Sequence, residues 1–331
     1  MFLANPILVE ITRGALVESI HRGSFAIADA DGAIRFALGD VESPVYPRSA
    51  LKPIQALPLI ESGAAERFEL SDEEVALACA SHSGEPMHTQ RVASWLKRIG
   101  CGESDLACGP QAPRYEPASE AMIRRGNKPG RIHNNCSGKH TGFLTVARHW
   151  NVATAGYERV EHPVQQAVAT SLRALSGVSD LPWGIDGCAA PNFALPLGGF
   201  ARALAKLAGG KTPGAARILR SMIAHPELVG GTGRACTALM RAAAGRVAVK
   251  IGAEGVYAGI VPEYGLGIAL KIDDGATRAA ETTIAAILDK LGLVGDGARE
   301  FLHAPVVNTR GASVGERQPA PALLQADLAA I

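Results

Sequence analysis

Strand-type patterning lies at the two ends of this 331-residue chain and helical patterning fills the middle, a distribution that constrains the fold more than any motif does. An extended run from Val17 to Ala28 carries Val17, Ile20, Phe25 and Ile27. Asp29-Ala30-Asp31-Gly32 supplies turn chemistry, and Ala33 to Leu38 resumes the extended pattern, so an opening hairpin is predicted. Strand chemistry returns late. Val247 to Gly252, Gly255 to Val261 and Leu266 to Ile272 are separated by Ala253-Glu254 and Pro262-Glu263-Tyr264-Gly265, the pattern of an antiparallel meander, and Pro305 to Val314 reads as a last strand. Between them Leu51, Ile54, Leu57, Leu59 and Ile60 fall near helical spacing, and Ser71-Asp72-Glu73-Glu74 is a capping signature ahead of Val75. Further helices are predicted over 90–99, 139–150, 164–175, 200–207, 214–223, 232–244 and 276–291. Such an order favours an α+β fold over an alternating βαβ wheel. One antiparallel sheet is assembled from terminal strands (8–40 and 246–315), helices pack on it, and a mainly helical region (49–245) is inserted, all as a single domain. No repeat or low-complexity tract interrupts this organisation, and the Ala-rich tail from Ala320 reads as a short helix or a loose end.

Composition narrows the function. Lys plus Arg number 33 against 32 for Asp plus Glu, so no surplus positive field exists to grip a phosphate backbone, and nucleic acid is excluded as the main partner. The longest apolar run, Val75 to Ala80, is far too short for a membrane span. Met1-Phe2-Leu3-Ala4-Asn5-Pro6 lacks the form of an export signal, which makes a soluble, cytoplasmic protein the expectation. In that compartment the six cysteines are expected as thiols or metal ligands rather than a disulfide framework.

Five polar segments can carry chemistry. Arg48-Ser49-Ala50-Leu51-Lys52 holds a Ser-x-x-Lys step whose side chains share a helix face, so an amine there can serve as base to the hydroxyl, against the plainer reading of a capped helix with a solvated lysine. Ala80-Ser81-His82-Ser83-Gly84-Glu85 is a dense polar cluster leaving an apolar helix, and it is also readable as ordinary capping. Asn134-Asn135-Cys136-Ser137-Gly138-Lys139-His140 and Gly184-Ile185-Asp186-Gly187-Cys188 each set a cysteine beside Gly and Asn or Asp. Cys136, His140 and Cys188 can therefore meet at one zinc, while Cys79, Cys101, Cys108 and Cys236 read as structural. Lys250-Ile251-Gly252 opens the late meander, where a lysine either projects over a site or guards an exposed sheet edge.

Taken together, Pro-Arg-Ser-Ala-Leu-Lys-Pro-Ile-Gln (47–55), Ala-Ser-His-Ser-Gly-Glu (80–85), Asn-Asn-Cys-Ser-Gly-Lys-His (134–140), Gly-Ile-Asp-Gly-Cys (184–188) and Gly-Ala-Glu-Gly-Val (252–256) resemble the asparaginase II family typified by the rhizobial inducible, thermolabile L-asparaginase. The resemblance implies a serine β-lactamase-like and glutaminase-like fold, a homodimer, and two Ser-Lys tandems, Ser49 with Lys52 and Ser81 with a second lysine assigned to Lys250. Ile251 departs from the Lys-Thr-Gly pattern of that fold, and no Ser-Asp-Asn segment is present, which leaves Ser81 either in that serine's role or as the nucleophile. A zinc site similar to the family's maps to Cys136, Lys139 and Cys188, with His140 the competing ligand or a substrate contact. The expected reaction is hydrolysis of L-asparagine to L-aspartate and ammonia through an acyl-enzyme, with Arg48 facing the α-carboxylate and Asp186 or Glu85 the α-ammonium. The rival readings are a glutaminase or other serine amidohydrolase, a zinc amidohydrolase, and a noncatalytic zinc-stabilised binding protein.

Overall fold

A computed structural model describes residues 4–210, 212–328 and 331; Met1 to Leu3 of the amino-terminal reading and Ala329 and Ala330 of the Ala-rich tail lie outside them. In chain order the strands are β1 (Ile7–Arg13), β2 (Leu16–Ala28), β3 (Ile34–Leu38), β4 (Pro44–Val45), β5 (Trp183–Ile185), β6 (Pro191–Phe193), β7 (Leu195–Pro196), β8 (Ala248–Ile251), β9 (Val256–Val261), β10 (Leu266–Ile272), β11 (Ala304–Val307) and β12 (Ser313–Pro319). The chain divides into two compact units, one of Met1–Ala50, Leu195–Gly209 and Ala238–Ile331, the other of Leu51–Ala194 and Gly210–Thr237.

The first unit is built on an antiparallel sheet in the order β11-β12-β1-β2-β10-β9-β8, with β3 also on β2. Strand β2 joins its halves. Residues Leu16 to Arg22 pair with β1, and Gly23 to Ala28 pair with β10, so the strand passes from a solvent-facing end to one buried on both faces. The α+β expectation of a sheet drawn from both termini is met. Two helices cover opposite faces, as strand alternation requires. A Cβ on Gly267 would lie 2.1 Å from Ala205 N, so β10 meets the helix Leu197–Ala208 backbone to backbone. A Cβ on Gly259, which pairs with Ile268, would touch Ile284 of the helix Thr277–Lys290 instead.

Two corrections concern the ends. A first strand, β1, precedes the hairpin, and the single closing strand expected over 305–314 is two: β11 and β12, turned around Asn308, whose Oδ1 accepts from Arg310 N and Ala312 N, with Gly311 at φ +77°.

The second unit is mainly helical. Ser71 and Glu74 form the expected capping box on Asp72–Ala78. Pro53 and Pro58 divide the early helical run into Lys52–Gln55 and Leu57–Glu61. Helix Ser137–Trp150 packs on Asp72–Ala78 through Gly138, where a Cβ would sit 2.3 Å from Leu77 O. Among the described residues no helix is long and apolar enough to cross a membrane.

Candidate functional site

In the first unit, Arg48–Leu51 forms a 3₁₀ turn, and Arg48 holds φ +52°, a left-handed backbone that a residue with a Cβ adopts at a cost of about 1–3 kcal/mol. This strained residue presents Ser49 at the point where the chain enters the helix beginning at Lys52. Gly252 lies against the same turn: a Cβ there would be 2.5 Å from Pro47 O and 3.3 Å from Ala50 N, so only glycine lets the end of β8 approach. Lys250 sits two residues earlier on that strand. It is 1% exposed and its Nζ donates to Ile251 O at 2.7 Å, which removes the reading of a solvated lysine guarding a sheet edge.

In the second unit, Lys52 is likewise buried, so it is not the solvated lysine of a capped helix. Its Nζ donates to Ala80 O, to Ser81 Oγ at 3.1 Å and to Cys136 Sγ at 3.1 Å. Three acceptors match the three protons of an ammonium. If the amine is neutral, the carbonyl and the thiol take its two N–H groups and its lone pair is left for the Ser81 hydroxyl.

The Ser81 loop is pinned on both sides, by Ser81 N to Val229 O at 3.0 Å and His82 N to Asn135 O at 3.2 Å. His82 accepts from Gly84 N at Nδ1 and donates from Nε2 to Ser137 Oγ at 2.9 Å, since that hydroxyl donates onward to Ile132 O. Burial, then the neighbouring His88 and Lys52, holds His82 well below the usual imidazole range, so this histidine is a neutral cross-link. Glu85 is also committed: its carboxylate accepts Thr232 N at 2.8 Å and Thr232 Oγ1 at 2.7 Å.

The two cysteines from separate loops meet. Cys136 stands at the start of helix Ser137–Trp150, its N–H bonded to Asn134 Oδ1 at 2.9 Å. Cys188 lies in the turn between β5 and β6, where Asp186 N bonds Ala190 O, Ala189 N bonds Asp186 O, and Ala189 takes φ +72°. The Cys136 thiol donates to the Cys188 sulfur, which pulls Cys188 down toward the thiolate and pushes Cys136 up. Lys139 Nζ is 3.0 Å from Cys188 Sγ. Burial disfavours its charge, but the Cys188 and Cys136 sulfurs outweigh that and raise it, with Asp186 adding to the effect. Cys108, read as a structural thiol, is buried close enough to feel both sulfurs.

His140 is placed otherwise. Tyr157 Oη accepts from Ala107 N at 2.8 Å, which leaves its O–H to donate to His140 Nδ1 at 2.6 Å. That fixes the Nε2–H tautomer on a fully buried ring whose Nε2 has no partner. A protonated Nε2 has no lone pair for a metal. Among the described residues no three His, Cys, Asp or Glu side chains converge, so a metal here rests on two sulfurs and an amine, for which Cys136, Cys188 and Lys139 have the right chemistry.

Tyr157 and Thr232 fall outside every motif of the sequence. Tyr157 lies in an irregular segment, Asn151 to Glu158, where nothing in the spacing marks it. The helix expected over 232–244 starts only at Ala235, and Gly230-Gly231-Thr232-Gly233 is the loop signature that marks Thr232.

A family model described as L-asparaginase II matches residues 9–319. No curated protein matches the sequence. Among solved structures, the chain is similar to an octameric penicillin-binding protein homologue from Pyrococcus abyssi (13% identity, TM-score 0.41, covering 88% of this chain and 80% of that one). It is also similar to simvastatin synthase (LovD) from Aspergillus terreus (11%, 0.38, 78% and 90%) and to Mglu in its native form (17%, 0.38, 88% and 70%).

Proposed function

Because the chain belongs to the L-asparaginase II family, we propose that this amidohydrolase cleaves the side-chain amide of L-asparagine by Ser-Lys acyl transfer. The observation that carries the reading is Lys52, a buried amine whose hydrogen bonds end on a serine hydroxyl, a thiol and a carbonyl with no carboxylate among them. The Lys52–Ser81 hydrogen bond sets an amine within proton-transfer reach of a hydroxyl, which is the geometry a general base needs.

In this reading Ser49 attacks the amide carbon and Lys52 takes its proton. The C–N bond breaks as Ser81, hydrogen-bonded to Lys52, passes that proton to the departing ammonia, leaving an aspartyl ester on Ser49. Water, deprotonated by the same amine, then attacks the ester and releases L-aspartate. Lys250 supports the charge of the second tandem. Asp186 or Glu85, the latter held by Thr232, meets the α-ammonium, and the His140 Nε2–H is an unused donor for the substrate. Zinc, if bound, would be held by Cys136, Cys188 and Lys139 and would supply a fixed positive charge beside the substrate. A homodimer is the assembly that the resemblance implies.

The test is ammonia release. Ser49→Ala and Lys52→Ala should each lower it by at least about 1,000-fold with the circular dichroism spectrum unchanged. Normal turnover by Ser49→Ala overturns the assignment and points to Ser81. Preferential release from L-glutamine or opening of a β-lactam ring overturns the substrate.

A further inference from the structure

Two arginines adjoin the Ser81–Glu85 loop, and neither guanidinium has a carboxylate partner among the described residues. Arg114 N donates to Ser83 O at 2.9 Å, and Tyr115 N shares that carbonyl. Arg234 closes the Gly230–Gly233 turn, its N–H directed to Gly231 O, while Thr232 of that turn holds Glu85. Both segments leave no room for a side chain on the glycine between them and the loop. A Cβ on Gly84 would be 3.0 Å from Pro113 Cα, and one on Gly231 would be 2.4 Å from Ser83 Oγ.

Partial burial and then the charge of Arg234 lower the Arg114 guanidinium from its ordinary value, with the Cys136 sulfur pulling the other way, and the Arg114 charge also reaches His82. Through Ser83, which accepts from Arg114 N and abuts Gly231, both segments adjoin the loop that begins at Ser81, a hydrogen-bond partner of Lys52. Arg114 is exposed and Arg234 half-buried, so a small solute can reach both. Glu85, the acid of the same loop, accepts from Thr232 N and Thr232 Oγ1 and forms no ion pair with either arginine. Two adjacent cations left without an acid are stabilised by an anion from solution, and the guanidinium fork matches a carboxylate.

We propose that Arg114 and Arg234 bind the α-carboxylate of the substrate, the role expected of Arg48 from its motif. The proposal rests on the asparaginase reading and adds the residues that make the enzyme select an amino acid over a simple amide.

The test compares L-asparagine with 3-aminopropanamide, the same amide without the carboxylate, in wild type, Arg114→Gln, Arg234→Gln and Arg114→Lys. Each Gln variant should raise KM for L-asparagine about 30-fold with kcat within a few-fold, leave kcat/KM for 3-aminopropanamide unchanged, and so shrink the preference about 30-fold. Arg114→Lys should recover part of it. Because each Gln substitution removes one of two repelling charges, Tm should hold or rise. An unchanged preference overturns the proposal, and an unchanged preference with a lowered Tm assigns the arginines to structure. A wild type that hydrolyses L-asparagine with variants of unaltered preference defeats this inference alone. A wild type that releases no ammonia from L-asparagine defeats the asparaginase reading and this inference with it.

Discussion

His140→Gln should change how stability depends on pH, and the size of the change follows from the ring's surroundings. Burial first, and Lys139 next, holds His140 at about 3, against about 6.5 in an unfolded chain. A base whose pKa falls on folding contributes stability that is complete above the unfolded value. Below it the unfolded chain binds the extra proton, and stability is lost as pH drops toward the folded value. Between about pH 6.5 and 3 the loss approaches about 1.4 kcal/mol per pH unit, which gives about 2 kcal/mol at pH 5. Against a domain stability of about 5–15 kcal/mol that is a large share. His82, also held down by burial, acts in the same window, so the difference between wild type and variant isolates the His140 part. Glutamine keeps an acceptor for Tyr157 and cannot titrate. Urea unfolding at about pH 7.5, 6.5, 5.5 and 5 should show His140→Gln less stable than wild type at the highest pH, with the gap closing by about 2 kcal/mol at the lowest. A gap that stays constant refutes the neutral, buried imidazole and the hydrogen-bond order Ala107–Tyr157–His140 that sets it.

Zinc binding by Cys136, Cys188 and Lys139 should release protons, because Cys136 and Lys139 hold theirs while Cys188 leans toward the thiolate. Calorimetry near pH 7 in buffers of different ionisation enthalpy should find about two protons per zinc, and release of one removes Lys139 from the ligand set. Gly231→Ala places a Cβ at φ +118° against Ser83 Oγ and Glu85 Oε1, so it should cost about 1–3 kcal/mol and lower ammonia release further than the loss of fold accounts for. A variant with wild-type Tm and kcat shows that the loop tolerates the displacement.

The meander and the longer helices were legible because their apolar residues recur at periods of 2 and 3.6, and the Ser71/Glu74 cap because its chemistry is local. Strands β4 to β7, two or three residues each, leave no period to count; Pro44 and Val45 are strand only because Pro196 and Leu195 lie opposite. At the site, side-chain types pointed to Lys52, Ser81, Cys136, Lys139 and Cys188. Burial decided what spacing left open, since the same Ser-x-x-Lys step on a solvated helix is inert. The contact between Cys136 and Cys188, and the tautomer of His140, depend on loops that only the tertiary fold brings together. The roles of Arg114 and Arg234 were hidden for the same reason: each is an ordinary arginine in its own segment, and their meaning comes from Ser83 and Gly231.

Strand β2 has a consequence for how the chain is made. Its inner half, ending at Ala28, is buried on both faces and pairs with β10, whose matching residue is Gly267. A ribosome adding roughly 5–20 residues per second completes that partner about 10 to 50 seconds after β2 has been made. For that interval Phe25, Ile27 and their neighbours are an apolar strand with an open edge. Until then β3, which pairs with Phe25 to Ala28, covers only one edge of that half, and heterologous expression should yield more folded enzyme at low temperature, where hydrophobic association between exposed strands weakens.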